Sequence, residues 1–263
     1  MKRIIWRVLI VVILGGGAAA YYYWQRSPQQ PVSPPLHTPA PPAQVSAKPA
    51  IRHPVETAPA QPLPVLSGSD AAMWEALAEL LGKKSLTHFF YPDGMIRRIV
   101  ATIDNLPRKK APVRVMPVKP VPHPFARMGT GNNTVISPGN SKRYAPYVTV
   151  AQAVDAGKLV AVYTRFYPLF QQAYEELGYP KGYFNDRLVE ALDNLLDAPD
   201  IKEPIKLVQP KVMYEFADPA LEARSAGQKI MIRMGSENAA KVKAKLREIR
   251  HGVTRRDPKS NRP

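Results

Sequence analysis

Proline is distributed very unevenly along this 263-residue chain. Twelve of its 29 prolines fall within residues 27–65, a stretch that carries almost no charge. Proline lacks an amide hydrogen and fixes φ, so such a stretch builds neither a helix nor a sheet ladder. The sequence therefore predicts a semi-rigid extended linker over residues 27–65, with any folded domain confined to the chain beyond it.

An uninterrupted apolar run precedes this linker. Three cations lie among the first seven residues, the run covers residues 8–24, and aromatic residues border both of its ends. This pattern predicts a single-pass transmembrane anchor through residues 4–24, with a cytoplasmic N-terminus and an exported C-terminal part. The alternative is a cleaved signal peptide, because residues 8–14 have the length of its hydrophobic region and residues 17–20 are small enough for a cleavage site.

The overall charge narrows the classes of partner. The formal net charge is +16, which favours anionic partners such as lipid headgroups, acidic envelope polymers or nucleic acid. The chain has no cysteine, so disulfides, thiolate metal sites and cysteine nucleophiles are excluded. That absence fits a reducing and an oxidising compartment equally well.

These features divide the chain into four parts. We expect a transmembrane anchor over residues 1–26, the linker over 27–65, an α-rich globular domain over 66–254 and a disordered basic tail over 255–263. The predicted fold class of the domain is mainly α, a multi-helix arrangement with an irregular Pro-rich loop and one or two short strands.

Apolar residues at helical spacing and capping residues predict where the elements lie. The first helix is expected to begin at Ser69 as N-cap and to end at Gly82, and the last to begin at Ser236 as N-cap. One helix is expected from Asp218, with Pro219 at its first position. In the loop of residues 111–137, short strands are predicted at residues 113–115 and 134–136, and the C-terminal helix is expected to bury Val242, Leu246, Ile249 and Val253.

Residues 167–196 concentrate carboxylates, aromatic residues and turn residues in a predicted helical hairpin. Glycosidases use paired carboxylates flanked by aromatic rings, so Glu175, Asp186 and Glu190 are weak catalytic candidates. The structural alternative is stronger: Asp186 lies near a helix start that favours an anion, and Glu190 lies within reach of Arg187. We therefore expect no catalytic residue in the hairpin.

Contact residues are predicted at two surfaces. Tyr179, Tyr183 and Arg187 are expected at the outer rim of the hairpin corner, where tyrosine and arginine are typical of contact hot spots. Lys241 and Lys245 belong to a cationic face of the C-terminal helix that is expected to bind anionic surfaces weakly. The alternative for that face is an ordinary solvated helix surface.

Other chemistry is weakly supported. His88, His123 and His251 are each alone in their segments, so neither a metal site nor a cofactor is expected. Ser225 lies four residues before Lys229, the spacing of a serine–lysine catalytic pair. An N-cap serine beside a solvated lysine explains the same spacing better.

Several long segments resemble one family in the same order along the chain. They include "IRRIVATIDNLPRKK", "RYAPYV", "FYPLFQQAYEELGYPKGYFNDRLVEALDNLL" and "LVQPKVMYEFADPALEARSAGQKIMIRMGSENAAKVKAKLREIR". Together they resemble membrane-anchored envelope proteins of Gram-negative bacteria that are classified only as a domain of unknown function. The resemblance implies an N-terminal span, a Pro-rich linker and one exported domain, and it implies no established activity, cofactor or catalytic residue.

From these observations we expect a non-enzymatic binding or scaffolding module at the inner membrane, with its domain in the periplasm. Its expected partners are the membrane, through residues 4–24, and either an envelope protein or an anionic envelope surface. The alternative is a cell-wall enzyme that acts on glycans through carboxylates of residues 175–193. A nucleic-acid binder is a third class, against which export argues. The oligomeric state is left open.

Overall fold

The computed structural model describes residues 50–55, 62–202 and 204–255. The predicted anchor, most of the predicted linker and almost all of the predicted tail lie outside these residues. Within the described ranges, no helix combines the length and the apolar character that crossing a membrane requires.

The described part of the chain is mainly helical, as its apolar periodicity predicts. Ten α-helices follow one another in these ranges: α1 Asp70–Leu81, α2 Lys83–Phe89, α3 Met95–Asn105, α4 Gly139–Lys142, α5 Ala145–Ala153, α6 Ala156–Glu176, α7 Phe184–Leu196, α8 Pro219–Glu222, α9 Ala226–Arg233 and α10 Ser236–Thr254. Three 3₁₀ turns are also present in this part, at Leu66–Gly68, Val113–Val115 and Gly131–Asn133.

Two short antiparallel hairpins complete the described fold. They pair β1 Arg127–Met128 with β2 Val135–Ile136, and β3 Leu207–Val208 with β4 Glu215–Phe216. The strand predicted at residues 134–136 is therefore confirmed as β2. The strand predicted at residues 113–115 is wrong: the amide of Val115 bonds the carbonyl of Pro112 at 3.1 Å, which closes a local 3₁₀ turn.

Ser69 is the N-cap residue of α1, as predicted, but it makes no capping hydrogen bond. The hydroxyl of Ser69 donates to the carbonyl of Leu66 at 2.8 Å and caps no amide of α1. Asp70 instead caps a different helix, because its two carboxylate oxygens accept from the amides of Gly94 and Met95 at 2.8 and 2.9 Å. An anion at the first amides of α3 also complements the dipole of that helix. The predicted end at Gly82 is confirmed, with φ at 78°.

The region after Asp218 forms two helices, where one was predicted. Asp218 caps α8 by accepting from the amide of Ala220 at 2.8 Å, and Ser225 caps α9 by accepting from the amide of Gln228 at 3.1 Å. The break has a tertiary cause, since the amides of residues 226 and 227 bond carbonyls just after α3. The last helix likewise uses Gly235, at φ 86°, as its N-cap, and Ser236 is its first residue.

The main core lies where α1, α3, α6 and α7 meet. Phe166 and Phe184 are almost fully buried there, and the rings of Phe170 and Phe184 stack with centroids 5.6 Å apart. Helix α10 packs across α6 and α7 and contributes Val253 to a second apolar cluster with Val189. The rest of its predicted buried stripe, Val242, Leu246 and Ile249, is only half-buried.

Candidate functional site

The hairpin between α6 and α7 turns at Gly178, whose φ of 118° strains any residue that carries a Cβ. The rings of Tyr174 and Tyr179 stack across this turn with centroids 4.5 Å apart. Gly182 follows at a point where a Cβ would lie 2.9 Å from the ring of Tyr174. The two glycines therefore allow a tight corner that directs the chain into α7.

Gln171 of α6 fixes the first turn of α7. Its amide nitrogen donates to the carbonyl of Gly182 at 2.8 Å, and its amide oxygen accepts from the amide of Phe184 at 2.8 Å. Because the first amides of a helix have no partner within it, this side chain supplies one from the neighbouring helix. Asn185 and Asp186 follow in the same first turn of α7.

Asn185 and Asp186 together bind the main chain of a distant segment, and we call this pair the main-chain clamp. The two carboxylate oxygens of Asp186 accept from the consecutive amides of Arg52 and His53 at 3.1 and 2.8 Å. The side-chain amide of Asn185 donates to the carbonyl of His53 at 2.9 Å. Residues 50–55, which lie in the predicted linker, are thereby attached to the start of α7.

The clamp is buried, and hydrogen bonds to other parts of the domain fix its orientation. Asn185 is fully buried and Asp186 is 9% exposed. Asn185 also donates to the carbonyl of Val253 at 3.0 Å, while its oxygen accepts from the hydroxyl of Tyr163 at 2.9 Å. Burial, together with the negative charge of nearby groups, raises the pKa of Tyr163 well above the ordinary value. The hydroxyl therefore stays a donor further into the alkaline range, and its bond to the oxygen of Asn185 leaves the amide nitrogen towards the segment.

A second polar cluster surrounds Asp104, near the end of α3. The side chain of Asp104 is 7% exposed, and its carboxylate pairs with Arg108 at 2.9 Å and with Arg187 at 3.1 Å. It also accepts from the hydroxyl of Tyr179 at 3.3 Å. Although burial acts to lower it, the carboxylates of Glu190 and Asp104 raise the pKa of Arg187 above its ordinary value. The cluster joins α3, the corner and α7 through one buried anion.

All five carboxylates of residues 167–196 accept from protein donors in the described structure. Asp186 belongs to the clamp and Glu190 pairs with Arg187 at 2.7 Å. Hydrogen bonding from Arg97 lowers the pKa of Glu176, the direction opposite to that needed for a general acid at neutral pH. The remaining two are Glu175, bonded by Gln171, and Asp193, bonded by Arg250.

The predicted contact residues lie partly inside the fold. Arg187 has a side chain only 14% exposed and is held in the Asp104 cluster, so it does not lie at the outer rim where it was expected. Tyr179 is half-buried by the same cluster, and Tyr183 is the N-cap residue of α7. Lys241 and Lys245 pair with Glu237 and Glu248, both at 2.6 Å, along α10.

The serine and lysine considered as a catalytic pair are held apart by other partners. The hydroxyl of Ser225 donates to the side chain of Asn194 at 2.6 Å while capping α9. Lys229 forms an ion pair with Glu222 of α8. The N-cap serine is therefore confirmed, whereas Lys229 is not the solvated lysine that was expected: its side chain is 13% exposed and forms a salt bridge. Among the described residues, no three histidines or carboxylates are grouped so that they hold a metal ion.

The family assignment follows from a comparison with family models. A model for proteins of unknown function, DUF3014, matches residues 95–250, which is more than half of the chain. The protein belongs to the DUF3014 family. The predicted resemblance to a family of unknown function is thus confirmed, whereas the anchor that it implies lies outside the match. Searches of curated proteins and of solved structures gave no match.

The matched DUF3014 region contains the Asp104 cluster and the clamp, while the clamped segment of residues 50–55 lies before it. The sequence identified Asp186 as an anion near a helix start, but it did not indicate the two main-chain amides that this carboxylate binds. The only signal was the pair Asn185–Asp186 at a predicted helix start, since these residue types favour hydrogen bonds to main chain. No periodic pattern indicates which segment they bind.

Proposed function

We propose that this DUF3014 member is a non-enzymatic binding module of the bacterial envelope. It is anchored at the inner membrane through residues 4–24, its domain is periplasmic, and its binding site is the main-chain clamp. The observation that supports binding is the contact of Asn185 and Asp186 with three main-chain groups of residues 52 and 53.

The clamp recognises an extended peptide by its backbone. One carboxylate accepts two consecutive amides and one carboxamide donates to the carbonyl of the second residue, so these hydrogen bonds use the main chain of the segment alone. The side chain of Arg52 adds an ion pair with Asp186 at 4.0 Å. Proline is excluded at both amide positions and is accepted immediately afterwards, as at Pro54. In this chain the clamp holds the linker, which fixes the point where the tether meets the domain. An extended segment of an envelope protein binds by the same contacts.

The same geometry opposes the glycan-acting alternative. A glycosidase needs two carboxyl groups about 5–10 Å apart that face a sugar, one of them protonated near neutral pH. In the described structure Asp186 and Glu190 are instead held by main-chain amides and by Arg187. Their oxygens are occupied by groups of the protein itself, which argues against a catalytic role.

Turnover distinguishes these alternatives. The full chain and its Asp186→Asn and Glu190→Gln variants are incubated with purified cell-wall polymer, and released sugars are measured. We expect no release by any of the three proteins. Release by the parent that disappears in either variant would establish the enzyme and overturn the proposal.

The membrane part of the proposal has its own test. An export-dependent reporter is fused after Pro263, and the membranes of the expressing cells are washed with carbonate. We expect an active reporter that stays with the membrane, because the positive charges precede the apolar run. An inactive reporter contradicts the orientation, and release into the wash contradicts the anchor.

A further inference from the structure

Two adjoining hollows lie between the helices of the domain. One has a volume of about 390 Å³ and lies among α1, α2, α5 and α10; the other has a volume of about 250 Å³ and lies among α1, α6, α7 and α10. Their linings share five residues: Leu77, Ile99, Leu159, Leu246 and Ile249. Because these side chains border both hollows, the two lie side by side along a shared wall.

The hollows open to solvent, since shared lining residues such as Leu159, Leu246 and Ile249 are only half-buried. Small-molecule sites occupy about 300–1,000 Å³ and are lined mainly by apolar side chains, and the larger hollow falls within that range. Covering apolar surface that faces water is favourable, so the domain gains when a ligand fills this hollow.

The lining is suited to a hydrocarbon and unsuited to water. The hollow of about 250 Å³ is lined by apolar side chains together with the ring of Tyr163, whose hydroxyl is bonded to Asn185. In the larger hollow, the hydroxyl of Tyr147 donates to the main-chain carbonyl of Lys119 at 3.1 Å. A buried water needs two to four polar partners, and the polar groups of this lining already have theirs.

The two hollows differ in charge and burial. Lys245 lines the larger hollow and pairs with Glu248; their side chains are 16% and 54% exposed, so the ion pair lies where this hollow meets solvent. The lining of the smaller hollow includes Met73 and Phe184, each 1% exposed. The larger hollow therefore has a cation at its rim, and the smaller hollow is apolar throughout.

We propose that the larger hollow binds a single-chain anionic lipid, with its acyl chain along the apolar lining and its carboxylate at Lys245. The apolar lining selects the chain, and the ammonium of Lys245 selects the head group by charge. The incoming carboxylate replaces that of Glu248, which is 54% exposed and returns to solvent. This site is separate from the main-chain clamp and does not depend on the proposed function.

Photocrosslinking in cells tests the proposal on the full chain. Cells that express the protein are fed a palmitate analogue with a diazirine in its chain, irradiated, and the labelled peptides are mapped. We expect label on the peptides that contain Leu159 and Leu246. The apolar run of residues 8–24 acts as an internal standard, since it is predicted to meet lipid whether or not the hollow binds one. Label confined to that run would overturn the proposal.

Three variants separate the parts of the site. Leu246→Trp places a larger ring in the shared lining and should reduce label at Leu159 by about tenfold or more, with label on residues 8–24 unchanged. Val212→Trp is the matched control, because Val212 is 84% exposed and lies outside the lining. Lys245→Gln should weaken competition by palmitate and leave competition by hexadecanol unchanged. Equal labelling of parent and Leu246→Trp, or equal effects on both competitors, would contradict the assignment.

Discussion

Asp186 is a single side chain that binds a segment distant from it in sequence. Its carboxylate accepts two amides more than 130 residues away in sequence, and Asn185 beside it completes the contact. Hydrogen bonds to a charged acceptor are roughly twice as strong as neutral ones. The charge of Asp186 is therefore the feature on which attachment of residues 50–55 depends.

The rate of cleavage by trypsin measures this attachment directly. The peptide bond between Arg52 and His53 is a tryptic site, and its amide hydrogen-bonds to Asp186 at 2.8 Å. In Asp186→Asn we expect cleavage at this bond to be about tenfold faster or more, because a charge-assisted hydrogen bond is lost. Asp193→Asn is the control, since its partner Arg250 lies on α10. Equal cleavage rates in the two variants would show that the clamp does not hold the segment.

Gly178 is a second position where one residue decides the local chain path. A Cβ at this position has open space around it, so any cost of substitution comes from its φ of 118° alone. We expect Gly178→Ala to lower the free energy of unfolding by about 1–3 kcal/mol. Gly68→Ala, at a position without positive φ, should cost less in the same urea titration. A stability loss no greater than that of the control would refute the strain argument.

At the scale of elements, the Asp104 cluster is the polar contact that joins α3 to α7. Arg187 is 14% exposed and faces a carboxylate that is 7% exposed, so removing the carboxylate leaves a buried cation with one fewer partner. We expect Asp104→Asn to lower the free energy of unfolding by about 3 kcal/mol. The measurement is equilibrium unfolding in urea.

Two comparisons sharpen this prediction. Glu190→Gln removes the half-exposed partner of the same arginine and should cost less than about 1 kcal/mol. The double variant Asp104→Asn, Arg187→Met should cost less than the sum of its single variants, because they share one contact. Additive losses would show that the arginine and the aspartate act independently.

Helix positions were predictable from the sequence wherever the determinants are local. Gly82 ends α1 and Asp218 begins α8 as their residue types indicate, because each signal involves neighbours in sequence. The misplaced features have distant causes. The break before α9 depends on carbonyls that follow α3, and Asp70 caps α3 across 24 residues. The clamp was unpredictable for the same reason, since its ligands are main-chain groups that carry no side-chain signature.

At the scale of the whole molecule, buried tyrosines make the free energy of unfolding depend on pH in the alkaline range. Burial raises the pKa of Tyr163 well above 10.0, and it also raises the pKa of Tyr144, Tyr167 and Tyr174. A raised pKa in the fold means that the folded protein retains the proton more strongly than the unfolded chain. Their contribution is complete below about pH 10 and is lost as pH rises through the folded-state pKa values.

We therefore expect the free energy of unfolding to fall steeply above about pH 10, and Tyr163→Phe to make that fall shallower. The variant loses the hydrogen bond to Asn185 at every pH, but it has no proton to release, so its stability approaches that of the parent as pH rises. Urea unfolding of both proteins across the alkaline range measures the two slopes. Lysines also titrate in this range, and the comparison removes their contribution because it is common to both proteins. Parallel slopes would mean that Tyr163 ionises in the fold as readily as in the unfolded chain, which would contradict the raised pKa.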